Sequence, residues 1–97
     1  MTKLSDGEIR TFLGGMEGWT HVAGGIHKSF SFPGFKGAMA FVNRVADRAI
    51  AAGHHPDLEI HYNRVVVSLS THDEGGVTEK DVALAGEIEA AAQPAEG

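Results

Sequence analysis

Three histidines stand where their side chains could meet and transfer protons. His54 and His55 are adjacent and directly follow a long helical pattern, and His72 follows a strongly strand-forming segment. An imidazole has an unperturbed pKa of about 6.5, so it can give or take a proton near neutral pH. Two such groups on opposite sides of a substrate could act as acid and base in one elimination. The spacing therefore predicts a proton-transfer site.

A predicted hairpin brings these histidines together. Positions 58–62 and 65–71 are typical of strands, and Asn63-Arg64 is the predicted turn between them. A two-residue turn pairs Tyr62 with Val65, and the same register carried outward places His55 opposite His72. A three-residue turn would shift the register by one residue.

Two other interpretations of the cluster stay open. Loop histidines often only bond to backbone groups and face water. Three histidines can also bind zinc. However, adjacent residues in an extended chain point to opposite faces, so His54 and His55 would reach one ion with difficulty. The sequence also has no cysteine and no HExxH spacing. Proton transfer is the favoured interpretation.

Asp81 has a structural explanation from the sequence alone. It lies three residues after Thr78, where an acidic residue completes a helix cap and interacts with the helix dipole. A catalytic role is therefore the less favoured interpretation at this position.

The elements that must position these residues alternate helices with pairs of strands. The segment from Leu4 to Ile9 contains a capping box formed by Ser5 and Glu8, so a first helix begins there. Positions 19–23 and 26–32 predict two strands joined by a Gly24-Gly25 turn, with the phenylalanines of the second strand facing the core.

A long central helix and a final helix complete the pattern. The central helix is expected to end at Gly53, and Thr78 is expected to cap the final one, with a frayed tail over positions 90–97. Apolar residues spaced by three and four define the buried stripe of the central helix: Ala38, Phe41, Val42, Val45, Ala46, Ala49 and Ile50.

This order of elements predicts an α+β fold, a two-layer sandwich in which three helices cover one face of a four-stranded antiparallel sheet. A chain of 97 residues that is 42% hydrophobic suffices for a single domain over positions 1–97. Val65-Val66-Val67 is expected at an exposed sheet edge, which favours association into a homodimer or a homotetramer.

Composition excludes several classes of function. The net charge is −5 and Lys or Arg never cluster, which argues against direct nucleic-acid binding. No apolar run approaches the roughly 18 residues of a membrane span. The polar N-terminus is unlike a signal peptide, so the cytoplasm is the expected compartment.

At this point the sequence resembles the pterin-4a-carbinolamine dehydratase family. The spacings match without gaps over about positions 30–88. The residues that carry the resemblance are Phe30-x-Phe32-x-x-Phe35, Arg44-Val45-Ala46, His54-His55-Pro56, Tyr62-Asn63, Ser70-Thr71-His72, Gly76-Val77-Thr78 and Asp81.

The resemblance implies an α+β fold, dimers or tetramers, and no metal or organic cofactor. The implied reaction, part of tetrahydrobiopterin recycling, is loss of water from 4a-hydroxytetrahydropterin to give quinonoid dihydropterin. The implied catalytic residues are His54, His55, His72 and Asp81, and the implied substrate-binding residues are Pro56, Ser70 and Thr71.

Two departures from the family pattern keep an alternative open. Ile50 stands where the family often has Glu, and Leu58 stands where it often has Trp. A carboxylate that would orient a neighbouring histidine is then missing. The alternative is a non-catalytic module on the same fold, which acts in assembly or as a transcription coactivator through oligomerisation.

Overall fold

The computed structural model describes residues 3–22 and 24–92 as three helices packed on an antiparallel four-stranded sheet, which confirms the α+β prediction. The elements in chain order are α1 (Asp6–Gly14), β1 (Thr20–Val22), β2 (Gly25–Ser31), α2 (Phe35–Ala52), β3 (Asp57–His61), β4 (Arg64–Leu69), a short 3-10 turn (His72–Glu74) and α3 (Glu79–Ala92).

The strand order is β1-β2-β4-β3, so β4 lies inside the sheet. Val65 and Val67 are fully buried beneath the helices. The expectation that 65–67 forms an exposed edge was wrong, because strong strand-forming residues favour a strand without saying whether one neighbour or two will pair with it. The edge strands of this sheet are β1 and β3.

The first hairpin turn lies one residue earlier than predicted. Val22 pairs with Gly25, so Gly25 belongs to β2 and not to the turn. Ala23, predicted to end the first strand, lies outside the described residues. Glycine is required at 25 by packing, since a Cβ there would lie 3.0 Å from the backbone oxygen of Leu69.

The second hairpin turn is also displaced. His61, not Tyr62, is the last paired residue of β3, and its partner is Arg64. Tyr62 has a φ of 55°, in the left-handed region. Asn63 is bonded to Phe32 in both directions: its side chain donates to the Phe32 oxygen at 3.0 Å, and its own oxygen accepts from the Phe32 amide at 2.8 Å. These two bonds to Phe32, just after β2, hold the turn at positions 62–63.

The helix starts follow the sequence closely. Glu8 N–H donates to Ser5 Oγ at 3.1 Å and Ser5 N–H donates to Glu8 Oε1 at 2.8 Å, which confirms the capping box. The end of α2 is also as predicted, because Gly53 adopts a φ of 67° and its amide donates to the backbone oxygens of Ala49 and Ile50.

Two expectations about the helices were wrong. Ile50 does not continue the buried stripe of α2, because its side chain is 69% exposed. The predicted fray begins too early, since α3 continues to Ala92 and Ala91 is almost fully buried. Arg44 Nε donates to the Ala91 oxygen at 2.8 Å, so an α2 side chain satisfies the end of α3. Residues 93–97 lie outside the described part.

The core lies between the sheet and the helices. Phe41 of α2 packs against Phe30 of β2 and Phe32 just after it, with ring centroids 4.8 and 5.0 Å apart, so both phenylalanines face the core as the strand alternation predicted. Within residues 3–22 and 24–92, none of the helices has the length and apolar character needed to cross a membrane.

Two glycine substitutions test this packing in opposite directions. Gly25→Ala should lower the free energy of unfolding by about 1–3 kcal/mol, because the new methyl group would press on the Leu69 oxygen. Gly86→Ala in α3 should raise it by about 0.5–1 kcal/mol, since a methyl there meets nothing within 4 Å. Urea denaturation of both variants measures the difference. Equal effects of the two substitutions would contradict the β2–β4 register.

Candidate active site

A buried carboxylate joins three separate segments of the chain. The Asp81 side chain is fully buried in the first turn of α3. Its Oδ1 lies 2.5 Å from Nε2 of His54, a residue that directly follows the end of α2. Its Oδ2 accepts from the Thr71 hydroxyl at 2.8 Å, beyond β4, and from the Thr78 amide at 2.9 Å. Asp81 is therefore more than a helix cap, the role that its position after Thr78 favoured, and it contacts a histidine of the predicted site.

The pattern of donors settles which nitrogen of His54 carries a proton. An ionised carboxylate only accepts hydrogen bonds, and Oδ2 already receives two. The bond on Oδ1 then requires a proton on His54 Nε2. In the neutral imidazole this leaves Nδ1 as the unprotonated nitrogen, able to act as a base. The His54 side chain is 12% exposed, so the ring is held yet still reachable.

A chain of hydroxyl groups supports the carboxylate. Thr71 donates its proton to Asp81, so the 2.8 Å bond between the Thr71 and Thr78 hydroxyls must be donated by Thr78. Thr78 Oγ1 in turn accepts from the Lys80 amide at 3.2 Å, as a cap of α3. Both threonines are buried. Both oxygens of Asp81 and the hydroxyls of Thr71 and Thr78 have partners, which fixes the position of Asp81.

A cavity of about 290 Å³ lies beside this network. It brings together most of the site residues that the sequence predicted. Pro56 does not line it, and Asp81 lies behind its wall. The lining residues are Gly53, His54, His55, Ser70, Thr71, His72, Asp73 and Lys80.

His55 and His72 share this cavity, but not through the predicted pairing. The β3–β4 ladder ends at the pair of Asp57 with Ser68, and His72 lies in the 3-10 turn beyond β4. The observed register differs from the predicted one by two residues. Since side chains alternate with a period of two, a shift of two keeps each residue on its face. Both histidines are exposed.

Two contributors to the site were missed from the sequence. Thr78 was assigned only to a helix cap, yet its hydroxyl extends the network to Thr71. Lys80 lines the cavity together with the histidines, and no described residue forms an ion pair with it. The sequence position of Lys80 could have indicated this role. Lys80 directly precedes Asp81 in the first turn of α3, and that turn contacts His54.

The cluster does not form a metal site within the described ranges. No group of three or more His, Cys, Asp or Glu side chains there is arranged to hold an ion. His54 points its Nε2 at Asp81. The neighbouring His55 is exposed.

Comparison with known proteins shows the family to which the chain belongs. The family model described as "Pterin 4 alpha carbinolamine dehydratase" matches residues 2–91. The chain belongs to the pterin-4-alpha-carbinolamine dehydratase family. The relatives are named as pterin-4-alpha-carbinolamine dehydratases, and a dehydratase is a hydro-lyase. A relative from Roseiflexus sp. (strain RS-1) named for this enzyme is 51% identical over 91% of the chain and 95% of its own length. One from Sulfolobus acidocaldarius is 48% identical over 89% of the chain and 94% of its own length.

Two solved structures share the dehydratase fold. The transcriptional coactivator/pterin dehydratase from Brucella melitensis has a TM-score of 0.91 at 37% identity, and the match covers 95% of this chain and all of that one. A pterin dehydratase-like protein identified as a RuBisCO assembly factor in the alpha-carboxysome has a TM-score of 0.68 at 21% identity, over 79% of this chain and 92% of that one. The second likeness concerns the fold alone.

The departures from the family pattern at Ile50 and Leu58 do not disturb the hydrogen bonds around Asp81. Ile50 is exposed, and only its backbone oxygen takes part in the end of α2. Leu58 is partly buried and packs on the core. The carboxylate that orients His54 comes from α3 instead, through Asp81.

Replacing the carboxylate by an amide should reverse the tautomer of His54. In Asp81→Asn, the amide oxygen must still accept from Thr71 and Thr78, so the NH₂ group turns toward His54 Nε2. That nitrogen must then accept, and the proton moves to Nδ1. Long-range ¹H–¹⁵N NMR of labelled protein should show protonated Nε2 in the wild type and protonated Nδ1 in the variant. The same tautomer in both proteins would contradict the assigned network.

Proposed function

We propose that this protein converts a 4a-hydroxytetrahydropterin into a quinonoid dihydropterin by histidine acid–base catalysis. Family membership supports the dehydration, and the pairing of His54 with buried Asp81 at 2.5 Å supports the catalytic device. This pairing is the observation that carries the proposal. It holds one imidazole at the cavity wall with a defined basic nitrogen.

The proposed step removes one water molecule. His54 Nδ1 accepts the proton from N5 of the pterin, and the N5–H electron pair forms the C4a=N5 double bond. The C4a–O bond breaks, and the leaving hydroxyl group takes a proton from a second histidine to depart as water. Asp81 stabilises the imidazolium that forms on His54, because the carboxylate and the positive ring lie in contact at a buried position.

His55 and His72 supply the acid side in this proposal. Both line the cavity with His54, and neither side chain is bonded to a described residue. An imidazole open to water can be reprotonated after each turnover, as an acid that gives its proton to the leaving hydroxyl must be. Aspartate-bound His54 is less suited to that exchange.

The remaining predicted residues hold parts of the site in position. Ser70 lines the cavity and is proposed to bond the amide-like edge of the pterin. The Thr71 hydroxyl is occupied by Asp81 and Thr78, so we assign Thr71 to support of the carboxylate. Pro56 restricts the preceding residue to extended backbone, which orients His55.

The physiological role proposed for this reaction is recycling of a tetrahydropterin, with tetrahydrobiopterin the form that the family resemblance implies. We also infer a homo-oligomer, with a dimer first. The edge strand β3 carries Ile60, which is half-exposed, and Tyr62, just after this strand, is 68% exposed. Ile50 on α2 is a third large apolar side chain that is exposed. Exposed apolar side chains next to an open sheet edge favour pairing of two copies.

Removing the histidines should lower turnover, and loss of the exposed His55 or His72 should spare the fold, whereas His54→Ala also removes a donor to buried Asp81. His54→Ala, His55→Ala and His72→Ala should each reduce the rate of quinonoid dihydropterin formation at least about tenfold, since each loses a proton carrier. His61→Ala is the matched control, because His61 is half-exposed on β3 and does not line the cavity. Circular dichroism checks folding. Wild-type rates in all three variants would exclude histidine catalysis.

A binding or assembly module on the same fold is the alternative function. The name of the relative from Brucella melitensis, a transcriptional coactivator as well as a pterin dehydratase, supports it. Turnover of purified protein separates the two functions. If micromolar protein leaves the spontaneous dehydration rate unchanged while the protein still binds reduced pterins or a protein partner, the alternative is supported.

A further inference from the structure

A second, larger cavity adjoins the proposed catalytic cavity. It lies between the last turn of α2 and the first turns of α3 and measures about 420 Å³, against about 290 Å³ for the first. His54 and Lys80 line both cavities. A molecule that contacts His54 in the catalytic cavity can therefore extend past these two side chains into the groove between the helices.

The walls of this groove are small and apolar. Ala51 and Ala52 of α2 face Ala83 and Leu84 of α3 across it. Side chains of this size leave space that larger residues would fill, and they offer no hydrogen bonds. The groove therefore suits a flat apolar group, and it suits a short polyhydroxylated chain poorly because hydroxyl groups placed there would lose their bonds to water.

Charged groups also line the groove: Arg48, Lys80 and Glu87. Arg48 and Glu87 bond to each other at 3.1 Å, so that pair is already satisfied. Lys80 has no ion-pair partner among the residues that the structure describes. An anionic group carried by an apolar substituent would find this ammonium within the lining of the same groove.

We propose that this groove is a subsite for the C6 side chain of the substrate, and that it selects reduced pterins whose C6 substituent carries an aromatic ring with a carboxylate. The inference rests on the proposed function for the position of the pterin ring. The aromatic ring packs between the alanines of α2 and Ala83, and the carboxylate meets the ammonium group of Lys80. A pterin with a dihydroxypropyl substituent leaves most of the groove to water.

Binding of stable 7,8-dihydropterins tests the subsite without turnover. We expect 7,8-dihydropteroate, with its aromatic carboxylate tail, to bind at least tenfold more tightly than 7,8-dihydrobiopterin or 6-methyl-7,8-dihydropterin, as measured by calorimetry. Ala83→Leu should abolish this advantage and leave the affinity for the 6-methyl compound within twofold. Ala90→Leu is the matched control, being the same change on an exposed position of α3 outside the groove.

The outcomes separate the subsite from the reaction. Equal affinities for all three pterins, or an Ala83→Leu effect of the same size on all of them, would overturn the subsite. Dehydration of a 6-methyl-4a-hydroxytetrahydropterin is measured in parallel. If that activity is absent while the aromatic preference and its loss in Ala83→Leu are seen, the proposed function fails and the subsite stands.

Discussion

The buried carboxylate of Asp81 is the constraint on which the rest of the site depends. Placing a charge in a protein interior is costly unless donors surround it. Here the donors come from three connections: His54 after α2, Thr71 after β4, and the start of α3 at Thr78. The carboxylate is stable in the interior only when all three segments are docked. The His54 imidazole is consequently positioned by the same contacts that assemble the fold at this end of the sheet.

This arrangement divides the histidines by environment. His54 is held by a buried partner, so its ring is fixed in tautomer and orientation, whereas His55 and His72 lie at the exposed rim of the cavity. An elimination needs one group that keeps its basic nitrogen aimed at the substrate and another that exchanges protons with water between turnovers. The division between fixed and exposed imidazoles matches these two requirements, and it follows from where α2 and β4 end.

Much of this could be predicted from the sequence wherever local chemistry decides the structure. The capping box at Ser5, the glycine end of α2 at Gly53 and the cap at Thr78 are all present. The errors arose where distant residues decide. The turn at Tyr62 is set by bonds between Asn63 and Phe32, which are 31 residues apart. The central place of β4 depends on its pairing with β2, which hydrophobic pattern alone does not reveal.

The hardest feature to predict was the second role of Asp81. Its position after Thr78 explains it as a cap, and that explanation is correct as far as it goes, because Oδ2 does accept the Thr78 amide. A carboxylate has two oxygens, and a cap uses only one of them. In a helix whose first turn is buried, the second oxygen must find a donor inside the protein. An acidic cap at a fully buried helix start therefore implies a donor on a neighbouring segment, and here a histidine from the end of α2 meets that requirement.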